Sequence, residues 1–218
     1  MASAGPVGAV QRLEYAIRRL AQQTQGRART GRSHQDADDA AGTVASDDAI
    51  GFDPLPLLRT LDEHSAHVVV IGQVAGIMHG SRELTGDLDL LWDGDQGQAA
   101  ALAAAFTSAA AFLSDKDGVP VRCEPAAFGL PKVLFQSTSA SGDCCTPALP
   151  WGSLPVADFI ARCETATTAS GFKIRYLARS DLIRMRRAIG RPKDLRRAAE
   201  LEHLVLPNRR SAIPGLGG

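Results

Sequence analysis

Two carboxylates, Asp87 and Asp89, stand one residue apart in Thr85-Gly86-Asp87-Leu88-Asp89-Leu90. In a strand, side chains at i and i+2 share a face. This spacing therefore puts both acids on one side and sends Leu88 and Leu90 into a core. Carboxylates this close repel each other unless a cation lies between them. The matching cation is Mg²⁺ (or Mn²⁺), which takes oxygen ligands and is commonly held by one or two carboxylates plus substrate phosphates. Such an ion neutralises charge on a transferring phosphoryl group and aligns the attacking oxygen. An isolated Asp-x-Asp pair is weak evidence, because acidic pairs at strand edges are common and usually solvated. The preceding residues strengthen it. In VVVIGQVAGIMHGSRELTGDLDLLWD, residues 68–93, an apolar run ends at Gly72 and turns into a helix. Gly72 has no Cβ, so backbone can approach a phosphate closely, and amides opening the next helix can face that anion. Thr85 and Ser81 are candidates to orient the acidic strand by hydrogen bonds, and Ser81 is also a candidate phosphate contact.

The elements that must position these residues follow from periodicity. Residues 8–24 carry Val10, Leu13, Ala16, Ile17 and Leu20 at helical spacing. The stretch from Gln25 to about Asp48 has almost no large apolar residue and reads as a linker unable to order itself. The folded part is expected to begin near Ile50. Pro54–His64 reads as a helix, His67–Ile71 as a buried strand, Gln73–His79 as a short helix and Asp87–Trp92 as a half-buried strand. Ala99–Leu113 and Leu154–Thr165 read as helices, and Val119–Cys123, Lys132–Gln136 and Lys173–Leu177 as strands. Ser180–Ile189 and Pro192–Leu204 read as helices separated by Gly190, with Ser180 a candidate cap and Pro192 suited to a first turn. This order implies a mixed sheet with helices.

The strand–glycine–helix unit followed by Asp-x-Asp resembles the nucleotidyltransferase superfamily, and HGSRELTGDLDLLWD is similar to minimal nucleotidyltransferases of the AbiEii/MenT toxin type. A second segment, residues 176–204 (YLARSDLIRMRRAIGRPKDLRRAAELEHL), is similar to the part that follows the core in those proteins. The resemblance implies an α/β, polymerase-beta-like fold with a short mixed sheet plus C-terminal helices. It also implies transfer of a nucleoside monophosphate from a nucleoside triphosphate (NTP) to a tRNA or protein acceptor, by the toxin of a toxin–antitoxin pair with an antitoxin partner. By the same resemblance Gly72 and Gln73 lie at the phosphate turn, and Asp87 and Asp89 bind the metal. Arg186 falls where relatives carry a phosphate-directed lysine, and Lys193 and Asp194 match a late basic–acidic pair completing the pocket.

Two departures from the pattern matter. Gln73 replaces the usual small residue after the glycine. In Ser141-Gly142-Asp143-Cys144-Cys145, Cys145 takes the position expected of a third carboxylate, with Asp143 of equal parity two residues earlier. By the same resemblance that third carboxylate acts as base or second-metal ligand, and Asp143 would substitute as a metal ligand if the strand slid. These departures motivate an alternative, a catalytically weakened nucleotide-binding regulatory protein. A small-molecule nucleotidyltransferase ranks behind both, for want of a separate substrate domain.

Composition sets the outer bounds. The 218 residues carry 24 Lys/Arg and 24 Asp/Glu, yet the charge is split. Residues 51–172 hold 6 basic against 14 acidic residues, and residues 173–218 hold 12 against 4. An acidic body with a basic C-terminal part suits metal binding in one region and phosphate attraction in the other. No apolar run approaches the ~20 residues of a membrane span, and the N-terminus lacks the order of a secretory signal. A cytoplasmic protein with no membrane contact is the expectation. Three regions are expected: residues 1–49, an N-terminal helix with a disordered linker; 50–150, the core; and 151–210, a mostly helical part completing the site.

Overall fold

The computed structural model describes residues 8–37, 42–149, 151 and 154–204. Among these, seven α-helices and eight strands make a mixed α/β structure with every strand in one sheet. The helices are α1 (Ala9–Thr24), α2 (Leu55–Glu63), α3 (Gly72–His79), α4 (Gln96–Ser108), α5 (Val156–Ala161), α6 (Arg179–Ile189) and α7 (Pro192–His203). The strands are β1 (Val69–Val70), β2 (Leu88–Leu91), β3 (Phe112–Ser114), β4 (Pro120–Val121), β5 (Lys132–Gln136), β6 (Ser141–Cys145), β7 (Glu164–Thr167) and β8 (Lys173–Tyr176). Their order is β4-β3-β5-β6-β2-β1-β8-β7. The pairs β2–β6 and β1–β8 are parallel and the rest antiparallel.

The acidic strand β2 lies inside the sheet, with β1 on one side and β6 on the other. Leu88, Leu90 and Leu91 are accordingly sealed from solvent together with Val69 and Val70 of β1. Helix α3 packs against β2, α1 and α6, and its residues 73–79 are all buried. Helix α1 lays Val10, Leu13, Ala16 and Leu20 into the core, the stripe its periodicity predicts. Gly190 takes a left-handed φ of +72° and turns the chain from α6 into α7. Among the described residues no helix is long and apolar enough to cross a membrane.

Several expectations need correction. The sheet is larger than the short one expected, and it crosses the boundary near residue 150, because β7 and β8 of the C-terminal part join it beside β1. Leu154–Thr165 is not one helix: α5 stops at Ala161 and β7 starts at Glu164. Ala99–Leu113 likewise divides, since α4 ends at Ser108, Ala110 adopts a left-handed φ of +50°, and Phe112 opens β3. Ser180 lies inside α6, whose N-cap position is Ala178.

The largest correction concerns the expected linker. Its described residues contain 3-10 turns at His34–Asp36, Thr43–Ala45 and Asp47–Ala49; residues 38–41 of that stretch lie outside the described residues. Polar anchoring replaces apolar burial here. The Asp47 carboxylate accepts from the Thr30 and Gly31 amides at 2.9 and 2.7 Å, and the Arg27 guanidinium donates to the carbonyls of Val44 and Ser46. Ala49 is fully buried against Gly86, where a Cβ would meet the Ala49 backbone at 2.7 Å. Ordered structure therefore begins well before Ile50.

Candidate active site

Asp87 immediately precedes β2 and Asp89 lies within it, and both line one cleft of about 410 Å³. Thr85 orients the first acid, its hydroxyl donating to Asp87 Oδ1. Thr43, from the expected linker, buttresses that loop by accepting from the Gly86 amide at 2.9 Å and sharing a hydrogen bond with Thr85 at 2.9 Å. Asp89 sits against the glycine turn. Its carbonyl accepts from the Ile71 amide at 2.9 Å, and its carboxylate occupies the space a Cβ on Gly72 would fill. Gly72 has φ +61°, a backbone conformation that itself favours glycine. Burial, then the charges of Asp87 and Asp143, push the Asp89 carboxyl up to about 8, with Lys132 and His34 opposing. The carboxylate form of Asp89 thus demands a neighbouring positive charge.

The third acid is Asp143. In the parallel β2–β6 ladder Asp89 pairs with Asp143 and Leu91 with Cys145. No slide of the strand is needed: Asp143 already stands beside Asp89, and Cys145 falls two pairs further on. Burial, then the Asp143 and Asp89 charges, push the Cys145 thiol far up, so it stays protonated. Two partners missed in the sequence hold Asp143. Lys132, at the head of β5, places Nζ 2.5 Å from Asp143 Oδ2. His34 places Nε2 3.8 Å from Asp143 Oδ1, an ion-pair distance too long for a hydrogen bond, and neither of those buried atoms has a hydrogen-bond partner. Asp48 fixes the imidazole from behind, accepting from the His34 amide at 2.5 Å and lying 3.1 Å from Nδ1. Burial is the largest influence on His34 and works to lower it. The Asp143 and Asp48 partners outweigh burial and carry it up to about 10. Lys132 follows the same pattern: burial acts downward, Asp143 outweighs it, and the net is upward.

The basic residues converge on the acids from α6 and α7. Lys193, Arg191 and Arg197 line the 410 Å³ cleft with Gln73. Gly72, Arg186 and Asp194 line an adjoining cavity of about 260 Å³, which shares Asp89, Lys132, Asp143, Arg191 and Arg197 with the first. Gln73 is buried and its amide faces inward. Nε2 donates to Ser81 Oγ (2.9 Å) and the Glu83 carbonyl (2.7 Å), and Oε1 accepts from Arg186 Nη2 at 2.7 Å. Arg186 also donates to the Gly72 carbonyl at 3.0 Å, so it braces the turn from beneath. Burial, then the charge of Arg197, lower it to about 10. Its buried Nη1 has no hydrogen-bond partner. Ser81 is not brought into the cleft: its hydroxyl donates to Glu200 Oε2 at 2.6 Å and ties α3 to α7. Asp194 is buried and accepts from Arg191 Nε at 2.6 Å, holding a basic partner at the cavity.

The carboxylate pair suits a hard divalent cation. Asp87 and Asp89 offer oxygen donors, and burial together with the neighbouring acids raises the proton affinity of Asp89. Among the described residues no group of three or more His, Cys, Asp or Glu side chains is arranged to hold a metal ion. An ion held by this pair alone would take its other ligands from phosphate and water, the usual pattern for Mg²⁺. No protein-family model and no curated protein matches this chain.

Proposed function

We propose that the chain is a metal-dependent nucleotidyltransferase of polymerase-beta-like fold, moving a nucleoside monophosphate from an NTP to an acceptor with release of pyrophosphate. One observation carries the reading: Asp89 rests on Gly72 at the start of α3, and Asp87 and Asp89 line one cleft together with Arg191, Lys193 and Arg197. When bound, Mg²⁺ would neutralise phosphate charge and align the reacting oxygens. Asp87 and Asp89 would hold it, Lys193, Arg191 and Arg197 would bind the triphosphate, and Arg186 would support the Gly72–Gln73 turn. The resemblance to AbiEii/MenT-type proteins makes a tRNA or a protein the acceptor, and a cytoplasmic toxin with an antitoxin the setting.

The test is Mg²⁺-dependent labelling of total RNA and lysate protein with α-³²P NTPs. Incorporation that disappears in Asp87→Ala/Asp89→Ala supports transfer. The second reading, a nucleotide-binding regulatory protein, is favoured by one observation, the engagement of Asp143 by Lys132 and His34. Nucleotide binding with no transfer to any acceptor would select it.

A further inference from the structure

We propose that this site takes one divalent cation, and that Lys132, backed by His34, stands in place of a second. The inference rests on the reading of Asp87 and Asp89 as a metal pair. Asp143 is the register partner of Asp89 and so the acid best placed to recruit a further ion. Both of its oxygens already face a nitrogen of the protein. Lys132 Nζ contacts Oδ2 at 2.5 Å, and His34 Nε2 lies 3.8 Å from Oδ1. Neither group is free to swing away. Lys132 is a ladder residue of β5, paired in register with Cys145, and its side chain is largely covered. His34 is clamped through both its amide and Nδ1 by Asp48.

A second ion at Asp143 would have to displace the Lys132 ammonium and then remain beside it, with repulsion strengthened by the partly buried setting. The charge balance agrees. Asp87, Asp89 and Asp143, with Asp48 behind them, set four carboxylates against Lys132 and the His34 imidazolium, and the two negative charges left over are cancelled by one divalent ion. A second would leave the acidic end of the cleft doubly positive before any phosphate arrives. The Lys132 ammonium is a compact point charge, suited to replace an ion rather than to read a planar anion.

Counting bound Mn²⁺ by electron paramagnetic resonance, with the metal alone and no nucleotide, tests this. Wild type is expected to bind one ion and Asp87→Asn/Asp89→Asn none. Asp143→Asn is expected to keep one, because Asp143 is not a ligand, and Lys132→Gln to rise to two. Two ions in wild type, or any loss in Asp143→Asn, would overturn the single-ion inference and leave the Asp87/Asp89 pair standing. No ion in wild type would overturn that pair as well. A Lys132→Gln protein that folds by circular dichroism and still binds one ion would remove Lys132 as the excluding charge. The Asp143→Asn count decides the matter even if Lys132→Gln does not fold.

Discussion

A methyl group at residue 72 would compete with the Asp89 carboxylate for the same space, in a backbone conformation that side-chain-bearing residues disfavour. The left-handed backbone alone costs about 1–2 kcal/mol for a non-glycine residue, and displacing a buried carboxylate adds to it. Gly72→Ala is expected to lower the urea midpoint by that amount or more and to cut α-³²P labelling at least tenfold. An unchanged midpoint would show that Asp89 does not pack on this turn. Gly72, Asp87 and Asp89 were legible because they fall in one continuous stretch, where parity and a glycine state the geometry locally. Asp143 was half legible: its parity showed, but its partner strand did not. Lys132 and His34 were not legible. Lys132 matters only because β5 pairs with β6, and His34 sits in a segment whose order comes from side-chain-to-backbone hydrogen bonds rather than apolar burial. Hydrophobic periodicity records neither.

Helix α3 is held at both ends, by Arg186 at the glycine turn and by His79 at the far end. His79 Nε2 lies 2.8 Å from the Leu177 carbonyl just past β8, and its ring packs on Tyr176 at 5.1 Å. Burial lowers the His79 pKa below its ordinary 6.5, the Leu177 carbonyl and Glu164 act upward, and Arg12 and Arg179 act downward again. A base whose folded pKa is depressed takes up its proton first in the unfolded chain. Stability from this docking is therefore whole above about pH 6.5 and is lost as pH falls below it, by up to about 1.4 kcal/mol per pH unit. Melting temperatures from pH 7.5 to 5 are expected to fall more steeply for wild type than for His79→Gln, which keeps a donor and does not titrate. Parallel curves would show that His79 is not buried in its neutral form. Element boundaries were harder to read than element types. Apart from Thr107 and Ser108, residues 99–113 are apolar, and nothing in that composition says that the helix stops at Ser108 and a strand opens at Phe112. The ladder of an eight-stranded sheet made that decision.

At the scale of the whole molecule, the acidic body and the basic C-terminal part meet along one cleft, where Asp87, Asp89 and Asp143 face Arg191, Lys193 and Arg197. The N-terminal segment closes the same cleft through His34, Gly42 and Thr43, and Arg19 of α1 joins Arg82, Arg196 and Arg197 around a neighbouring cavity of about 300 Å³. Residues 8–49 therefore do structural work that their composition conceals. Val10, Leu13 and Leu20 of α1 are buried, α1 packs on α3, and the Arg12 guanidinium donates to the Met78 carbonyl at 2.8 Å. Each fully buried large aliphatic side chain contributes about 1.5–3 kcal/mol, while a whole domain of this kind is stable by only about 5–15 kcal/mol. Losing three of them, together with Ala49 under Gly86, removes most of that margin. A chain starting at Ile50 is thus expected to show no cooperative thermal transition by circular dichroism and to label no acceptor. A truncated chain that melted cooperatively at the wild-type temperature would show that the fold does not depend on this segment.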